Sequence, residues 1–313
     1  MQLTTNTRAF VEAEQYSSFI LLNLRDGLLP GTFYRNVTDF NSGDTLHIKT
    51  VGSVTLQEAA EDTPLDYNPI ESGEITMQIT DYVGDAWYVT DDLREDGSQI
   101  DMLMAQRSAE STRAIQENFE SRFLATANAG QTNADPNLVN GFAHRIASAE
   151  TNNIFSVKHL IAMKLAFNKA NVPAEGRVFI CDSVVEAALS NQVTITQDVT
   201  QFGKDVLEAG FARGMQFNMQ LHGFMIITSN RLPTGNFSDG TTAIADAVAN
   251  IAMCVLDDQT KPVMAAWRRM PKAEGERNKD RARDEFVVRA KWGFGVQRRD
   301  TLGVILTSAT AYE

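Results

Sequence analysis

The sequence predicts an α+β chain organised around one long helix, with an extended hairpin reaching away from the body. Three observations carry that prediction. Residues 45–51 and 75–80 alternate apolar and polar side chains on either side of an acidic, proline-bearing stretch. Residues 98–128 keep apolar side chains at helical spacing. From residue 156 to 256, short apolar strands alternate with amphipathic helices, the pattern of a mixed sheet covered by helices.

Residues 1–40 mix short apolar runs with the turn formers Gly27, Pro30 and Gly31, which reads as an extended arm with one short helix at most. The stretch 57–73 carries Pro64, Pro69 and Gly73, so neither a continuous helix nor a central strand can run through it. Two long strands joined by a polar tip follow from this. A two-stranded ribbon is marginal alone in water and needs a surface to lie on.

Ser98 is placed to cap the long helix. Ile115, Phe119 and Phe123 recur every four residues on one face, with Ile100, Leu103 and Met104 ahead of them. Arg113 and Glu117 are spaced to pair one turn apart on the solvated side. At 1.5 Å per residue the helix spans about 45 Å. Asn128 and Gly130 end it.

In the next unit, Ser156 caps a helix with Val157, Leu160, Ile161 and Leu165 expected on its buried face, stopped by Asn171 and Pro173. Residues 177–181 read as a buried strand, and Ser183 with Glu186 as a capping box opening another helix. Residues 223–230 and 249–256 are further strands. Residues 285–295 read as a strand running into a glycine turn at Gly293 and Gly295, and residues 300–307 as the last strand.

Composition narrows the function. The 313 residues are 43% apolar and 22% charged, enough to bury a sizeable core. No segment approaches the roughly 20 apolar residues of a membrane helix. The formal net charge of −12 argues against a chain built to grip nucleic acid, because phosphate neutralisation needs Lys and Arg. Cys181 and Cys254 both sit inside apolar runs and read as buried, reduced thiols.

Catalytic signals are absent from the sequence. The four histidines, His47, His144, His159 and His222, lie far apart and in no metal-ligand spacing. The run from Gly293 to Arg298 starts like a dinucleotide fingerprint but lacks its third glycine. Asp91–Asp92 and Asp257–Asp258 suit turns and helix starts better than a cation site, since adjacent residues seldom converge on one ion. Between Lys261 and Glu285 eight basic residues interleave with five acidic ones. That pattern is either a solvated strand edge or a contact surface, and the alternating signs favour salt bridges with protein over phosphate binding.

The order of these features carries a resemblance. The hexapeptide from Gly43 through Asp44 to Ile48 resembles the start of the extended loop in tailed-phage major capsid proteins. Residues 75–92, ending in Trp87, Tyr88, Val89, Thr90, Asp91 and Asp92, look like its return strand and the entry to the family's spine helix. The stretch from Gly223 to Pro233 and the tail from Arg283 to Thr307, with Trp292, Gly293 and Asp300, are similar to later strands of the same family.

The resemblance implies the Hong Kong 97 phage-type major capsid fold, an α+β architecture. Its parts would be an N-terminal arm at 1–40, an extended β-loop at 41–85, a peripheral domain at 86–154 and 257–313 with the spine helix at about 98–128, and an axial domain at 155–256. It further implies a non-enzymatic structural protein that self-assembles as hexamers and pentamers into an icosahedral shell around double-stranded DNA. No cofactor and no metal are expected, and no membrane partner.

A separate scaffolding protein and a portal protein are the implied partners, the virion the implied location, and the host bacterial cytoplasm the site of assembly. Interface residues expected on this reading are Asp44, Glu61, Asp62, Pro64, Tyr67, Arg268, Arg269 and Arg277. An encapsulin-like compartment shares the implied fold and is the alternative; a soluble enzyme of another type is the remote one.

Overall fold

A computed structural model of the chain describes residues 28–29, 31–38, 45–51, 57–58, 72–96, 100–132, 137–195 and 220–312. Its long helix, α2 (Ile100–Gly130), follows a short helix α1 (Asp91–Asp96). The first of two larger sheets has four strands: β1 (Arg35–Asn36), β4 (Asp81–Thr90), β13 (Val263–Asn278) and β14 (Arg283–Val296), in the order β1-β13-β14-β4. The second holds β7 (Arg145–Ala147), β8 (Arg177–Cys181), β9 (Gln220–Leu221), β10 (Phe224–Thr228), β12 (Ala243–Cys254) and β15 (Leu302–Ser308). Its order is β7-β15-β12-β8-β10-β9, with β11 (Thr234–Ser238) also paired to β12. Helices α3 (Val157–Lys169) and α4 (Ser183–Ile195) belong to this second unit. Two small ribbons complete the list, β2 (Thr45–Val51) with β3 (Ser72–Gln78), and β5 (Leu138–Val139) with β6 (Phe142–Ala143).

Helix α2 spans 31 residues and packs against both sheets. Its middle presents Ile115 and Phe119 to Ala265, Val288, Ala290 and Trp292 of the four-stranded sheet. One turn on, Phe123, Leu124 and Ala127 meet Val178, Ile180, Ile251, Met253 and Leu302 of the seven-stranded sheet. Phe119 is the aromatic hub, its ring 4.3 Å from Trp267, 4.8 Å from Phe294, 5.4 Å from Tyr34 and 5.5 Å from Trp292. The four-residue spacing seen in the sequence is therefore the seam joining the two sheets.

The same stripe does not extend to the helix start as expected. Leu103 is 51% exposed and Met104 half-buried, whereas Ile100 is buried. At 100° per residue Leu103 lies about a third of a turn off the Ile115 row. The Arg113–Glu117 pair forms as predicted, at 3.2 Å. At the other end Arg145 holds the last turn, donating to the Asn128 side chain at 2.9 Å and to the Gln131 carbonyl at 2.7 Å. It also reaches the Asn128 backbone carbonyl at 3.4 Å, one of the groups a helix end leaves without an internal partner.

In the second unit Ser156 caps α3 through a capping box in which His159 Nδ1 accepts from the Ser156 amide at 3.1 Å. The buried face is Leu160, Met163, Ala166 and Phe167, not the expected row; Ile161 and Leu165 are exposed. Leu160, Met163 and Phe167 follow the helical repeat, and Ile161 sits about 100° round from them. Helix α4 begins one residue earlier than a Ser183 cap requires. Asp182 is the cap, accepting from the Val184 amide at 3.2 Å. Both cysteines are free and buried, and burial pushes the Cys181 thiol up, so it stays protonated.

Strand β15, which sequence order grouped with the segment after residue 257, hydrogen-bonds to β12 and β7 in the seven-stranded sheet. Its residues Leu302 to Leu306 are fully buried, as a central strand requires. Gly303 lies directly under Met163 and Phe167 of α3, where a side chain would collide with the thioether.

Two outcomes follow. Replacing Phe119 with Ala removes the hub and should cost about 3–5 kcal/mol, measured by denaturant unfolding of the subunit. Burial also holds His144 and His159 below the ordinary histidine value of 6.5. The unfolded chain therefore takes up protons first as pH falls, and stability contributed by the neutral rings, full above about pH 6.5, is lost as pH drops towards their folded values. The melting temperature should fall more between pH 7.5 and 5.5 in the wild type than in a His144→Asn/His159→Gln variant.

Candidate interaction surface

Strand alternation sorts the four-stranded sheet into two faces. Val83, Asp85 and Trp87 of β4, with Val288, Ala290 and Trp292 of β14, face α2. Asp85 accepts from Ser111 at 2.5 Å and from Arg107 at 2.8 Å, tying the edge strand to the helix. A groove of about 460 Å³ runs between them.

The opposite face has three zones. At one end lie Met264, Ala266, Gly293 and Gly295. In the middle Arg269 stands opposite Lys291 and Lys272 opposite Arg289, with Tyr82 opposite Lys291 on β4. Farther along come Glu274, Val287 and Ala86, then Glu276, Glu285 and Tyr88.

The first zone is covered by the root of the β2–β3 hairpin. Met77 and Ile79 are buried against Met264 and Ala266, with Leu46, Ile48 and Ile75 half-buried beside them. This contact exists because β14 has no side chains there. A Cβ on Gly293 would overlap the Gln78 carbonyl and lie 2.7 Å from Ile79 Cα, and one on Gly295 would lie 3.0 Å from Met77. The expected glycine turn is thus unbroken strand: Gly293 and Gly295 are paired with Ala266 and Met264, and the glycines serve close backbone approach. Across the hairpin, His47 and Glu74 meet at 2.5 Å on its exposed side.

The charge run between Lys261 and Glu285 resolves into the two arms of the β13–β14 hairpin rather than an irregular excursion. At its far end Arg277 makes two bonds to Asp91, at 2.6 and 2.7 Å, and one to Asp284 at 3.1 Å; Arg94 reaches Asp284 at 2.6 Å. The hydrogen bond from Arg277 holds the Asp91 carboxyl below the usual carboxylate range. Arg283 lies over the Tyr88 ring at 4.4 Å and pairs with Glu285 at 2.7 Å.

The arm root is held by a second ion network. Glu120 of α2 is 5% exposed and accepts from the Leu29 amide at 3.0 Å, from the Ser229 hydroxyl at 3.1 Å and from Arg231 at 3.4 Å. Arg231 also reaches Glu117 at 3.4 Å. One carboxylate therefore joins the arm, the long helix and the loop after β10. Beyond it, β1 adds a two-residue parallel strand to β13.

Of the residues expected at an interface, Asp44, Glu61, Asp62, Pro64 and Tyr67 lie outside the described residues. Arg268 and Arg269 are exposed at irregularities in β13, where extra residues break the register on either side of Arg269. Arg277 is engaged within its own chain and faces the other side of the sheet from Arg269. The sequence reading missed Lys272, Arg289 and Lys291 as members of one band, because only the strand register brings them together. It also missed Glu120 and Arg231; a carboxylate flanking the apolar stripe of a long helix was the available signal for the first. Asp257 accepts from the Gln259 and Thr260 amides, the turn role expected of it. Among the described residues, no cluster of three or more His, Cys, Asp or Glu side chains could hold a metal ion.

A family model for phage capsid protein matches residues 73–307. No curated protein sequence matches significantly. Solved structures do. A capsid structure of cyanophage P-SCSP1u is 18% identical, with TM-score 0.70, covering 97% of this chain and 94% of that one. The cyanophage Pam1 capsid is 12% identical with TM-score 0.67, covering 96% and 97%. A structure from Mycobacterium phage Che8 is 15% identical with TM-score 0.61, covering 94% and 97%. At these identities the likeness is one of fold, and it spans nearly the whole chain.

Replacing Arg231 with Met should leave the buried Glu120 without its cation and lower stability by about 3 kcal/mol or more. The arm should also be clipped sooner by trypsin than in the wild type.

Proposed function

Because the chain belongs to the phage capsid protein family, we propose that it is the major capsid protein of a tailed-phage head, closing as hexamers and pentamers into an icosahedral shell around double-stranded DNA. It is a structural protein of the virion, not an enzyme. The observation that carries the reading is the family match over 73–307, which takes in nearly all of both sheets (β1 apart), the long helix and the return strand of the hairpin.

Physical chemistry supports the same reading. Among the described residues the hairpin rests on its own subunit at its root, through Met77 and Ile79, with Leu46, Ile48 and Ile75 half-buried beside them. A ribbon of two strands is marginal without a surface beneath it, and a neighbouring copy is a surface of that kind. Many such modest contacts, linked through each subunit, raise effective concentration and make a durable shell. The net charge of −12 fits a wall that lies near packed DNA without adhering to it.

The division into parts on this reading is arm 1–40, loop 41–85, peripheral domain 86–154 and 257–313, and axial domain 155–256, with β7 and β15 joining the axial sheet. In this reading Asp44, Glu61, Asp62, Pro64 and Tyr67 of the loop meet neighbouring copies, as do Arg268 and Arg269. A scaffolding protein guides assembly in the host cytoplasm, and a portal protein occupies one position in the shell.

Deleting residues 55–72 tests the loop. The shortened subunit should keep wild-type circular dichroism and melt within a few degrees of the intact chain, yet give no closed particles by negative-stain electron microscopy. Normal particles would remove the loop from the assembly contacts.

A further inference from the structure

The two-residue turn between β5 and β6 is built on Asn140 and Gly141, both exposed and both at positive φ, 52° and 85°. That is the backbone of a type I′ turn, closed by the pairs Val139–Phe142 and Leu138–Ala143. At its foot the ribbon is held by His144, whose Nδ1 lies 2.9 Å from the Asn137 carbonyl. At its tip the Asn140 side-chain amide donates to the carbonyl of Lys169 at 2.8 Å. Lys169 is the last residue of α3, so that carbonyl is one a helix end leaves without an internal partner. The Lys169 ammonium in turn lies 6.0 Å from the centre of the Phe142 ring. One asparagine amide thus pins a ribbon of two residue pairs to the end of a helix.

The same residue carries the chemistry that releases the pin. Asn140–Gly141 is the sole Asn-Gly pair in the 313 residues. A glycine nitrogen is the least hindered nucleophile a backbone offers, and a Cβ built on Gly141 meets nothing within 4 Å. We propose that Asn140 is a self-modification site, converted by the Gly141 nitrogen and water to aspartate and isoaspartate, and that the conversion unpins the β5–β6 ribbon from α3. The Gly141 nitrogen gives up its proton and bonds to Asn140 Cγ; the Cγ–Nδ2 bond breaks, and the amide nitrogen leaves with that proton as ammonia. Water then opens the five-membered imide at either carbonyl. The net change is one water in and one ammonia out.

The ribbon sets the pace. Ring closure requires the Asn140 side chain to leave Lys169 and fold back on its own backbone, so it waits on local opening. A two-stranded ribbon is marginal in water, and its tip opens without the rest of the fold. After conversion the side chain is a carboxylate, which cannot donate and faces the negative end of the α3 dipole. Isoaspartate also adds a methylene to the backbone of a two-residue turn. Neither product restores the bond. Asn137, Asn152, Asn153 and Asn171 share the positive φ but precede Leu, Asn, Ile and Val, whose side chains hinder the attack. Every step lies within one chain, so no second copy is needed, and a long-lived particle gives the reaction time to run.

Ageing the full chain in warm, mildly alkaline buffer tests it by peptide mapping. The tryptic peptide 123–145 should gain one mass unit, placed at Asn140 by fragmentation, before any other asparagine converts. An Asn140→Gln chain, whose longer side chain closes a ring far more slowly, should gain none at that position. Aged wild type and a fresh Asn140→Asp variant should both melt about 2–4 °C below fresh wild type, as loss of one hydrogen bond predicts. Both should exchange the backbone amides of 138–143 faster.

No gain at Asn140 over a period in which the urea-unfolded chain converts there overturns the site. Conversion that starts at another asparagine does the same. Conversion at Asn140 that leaves melting and amide exchange unchanged overturns the unpinning.

Discussion

Everything else in the subunit depends on the packing of one helix against two sheets. Phe119 and Phe123 sit one turn apart on α2, and the first inserts among Trp267, Trp292 and Phe294 while the second reaches the floor of the other sheet. Remove that seam and the two sheets share little else among the described contacts beyond the chain connections. A helix of 31 residues is long relative to the modules it joins. It is stiff because all its internal hydrogen bonds are made along one axis, and its end is closed by Arg145.

Around that seam the polar groups are arranged to fix position rather than to react. Glu120 is almost completely buried, and three donors from distant parts of the chain satisfy it. Arg277 brings the start of α1 against the end of the β13–β14 hairpin. Among the described residues neither network contains a cluster of His, Cys, Asp or Glu side chains that could hold a metal ion. These are fasteners. They hold the arm root and the hairpin end at set places on a rigid body, which is what a subunit presenting surfaces to its neighbours requires.

Most of the architecture was legible because it rests on periodicity. The alternation in 45–51 and 75–80, the four-residue repeat through Ile115, Phe119 and Phe123, and the Ser156 cap all express local rules that tertiary packing left intact. What was not legible depended on register. Ile161 and Leu165 look equivalent to Leu160 and Met163 until the helix is set against β8 and β15. Gly293 and Gly295 read as a turn because a glycine pair usually is one; only the approach of Gln78 and Met77 shows why an uninterrupted strand needs them. The cationic band was invisible for the same reason, since Lys272 and Arg289 are neighbours by strand pairing and not by sequence.

The bare stretch of β14 under the hairpin root has a mechanical consequence. At Gly293 the two backbones bear on each other directly, and at Gly295 the Met77 side chain fills the space, so the root becomes a fulcrum of fixed height. The arm beyond it is about 23 Å long, taking seven residues of β2 at 3.3 Å each. A displacement at such a pivot is carried along the strands to the far end. Reach and aim at a distant point are therefore set by two missing methyl groups at the near one.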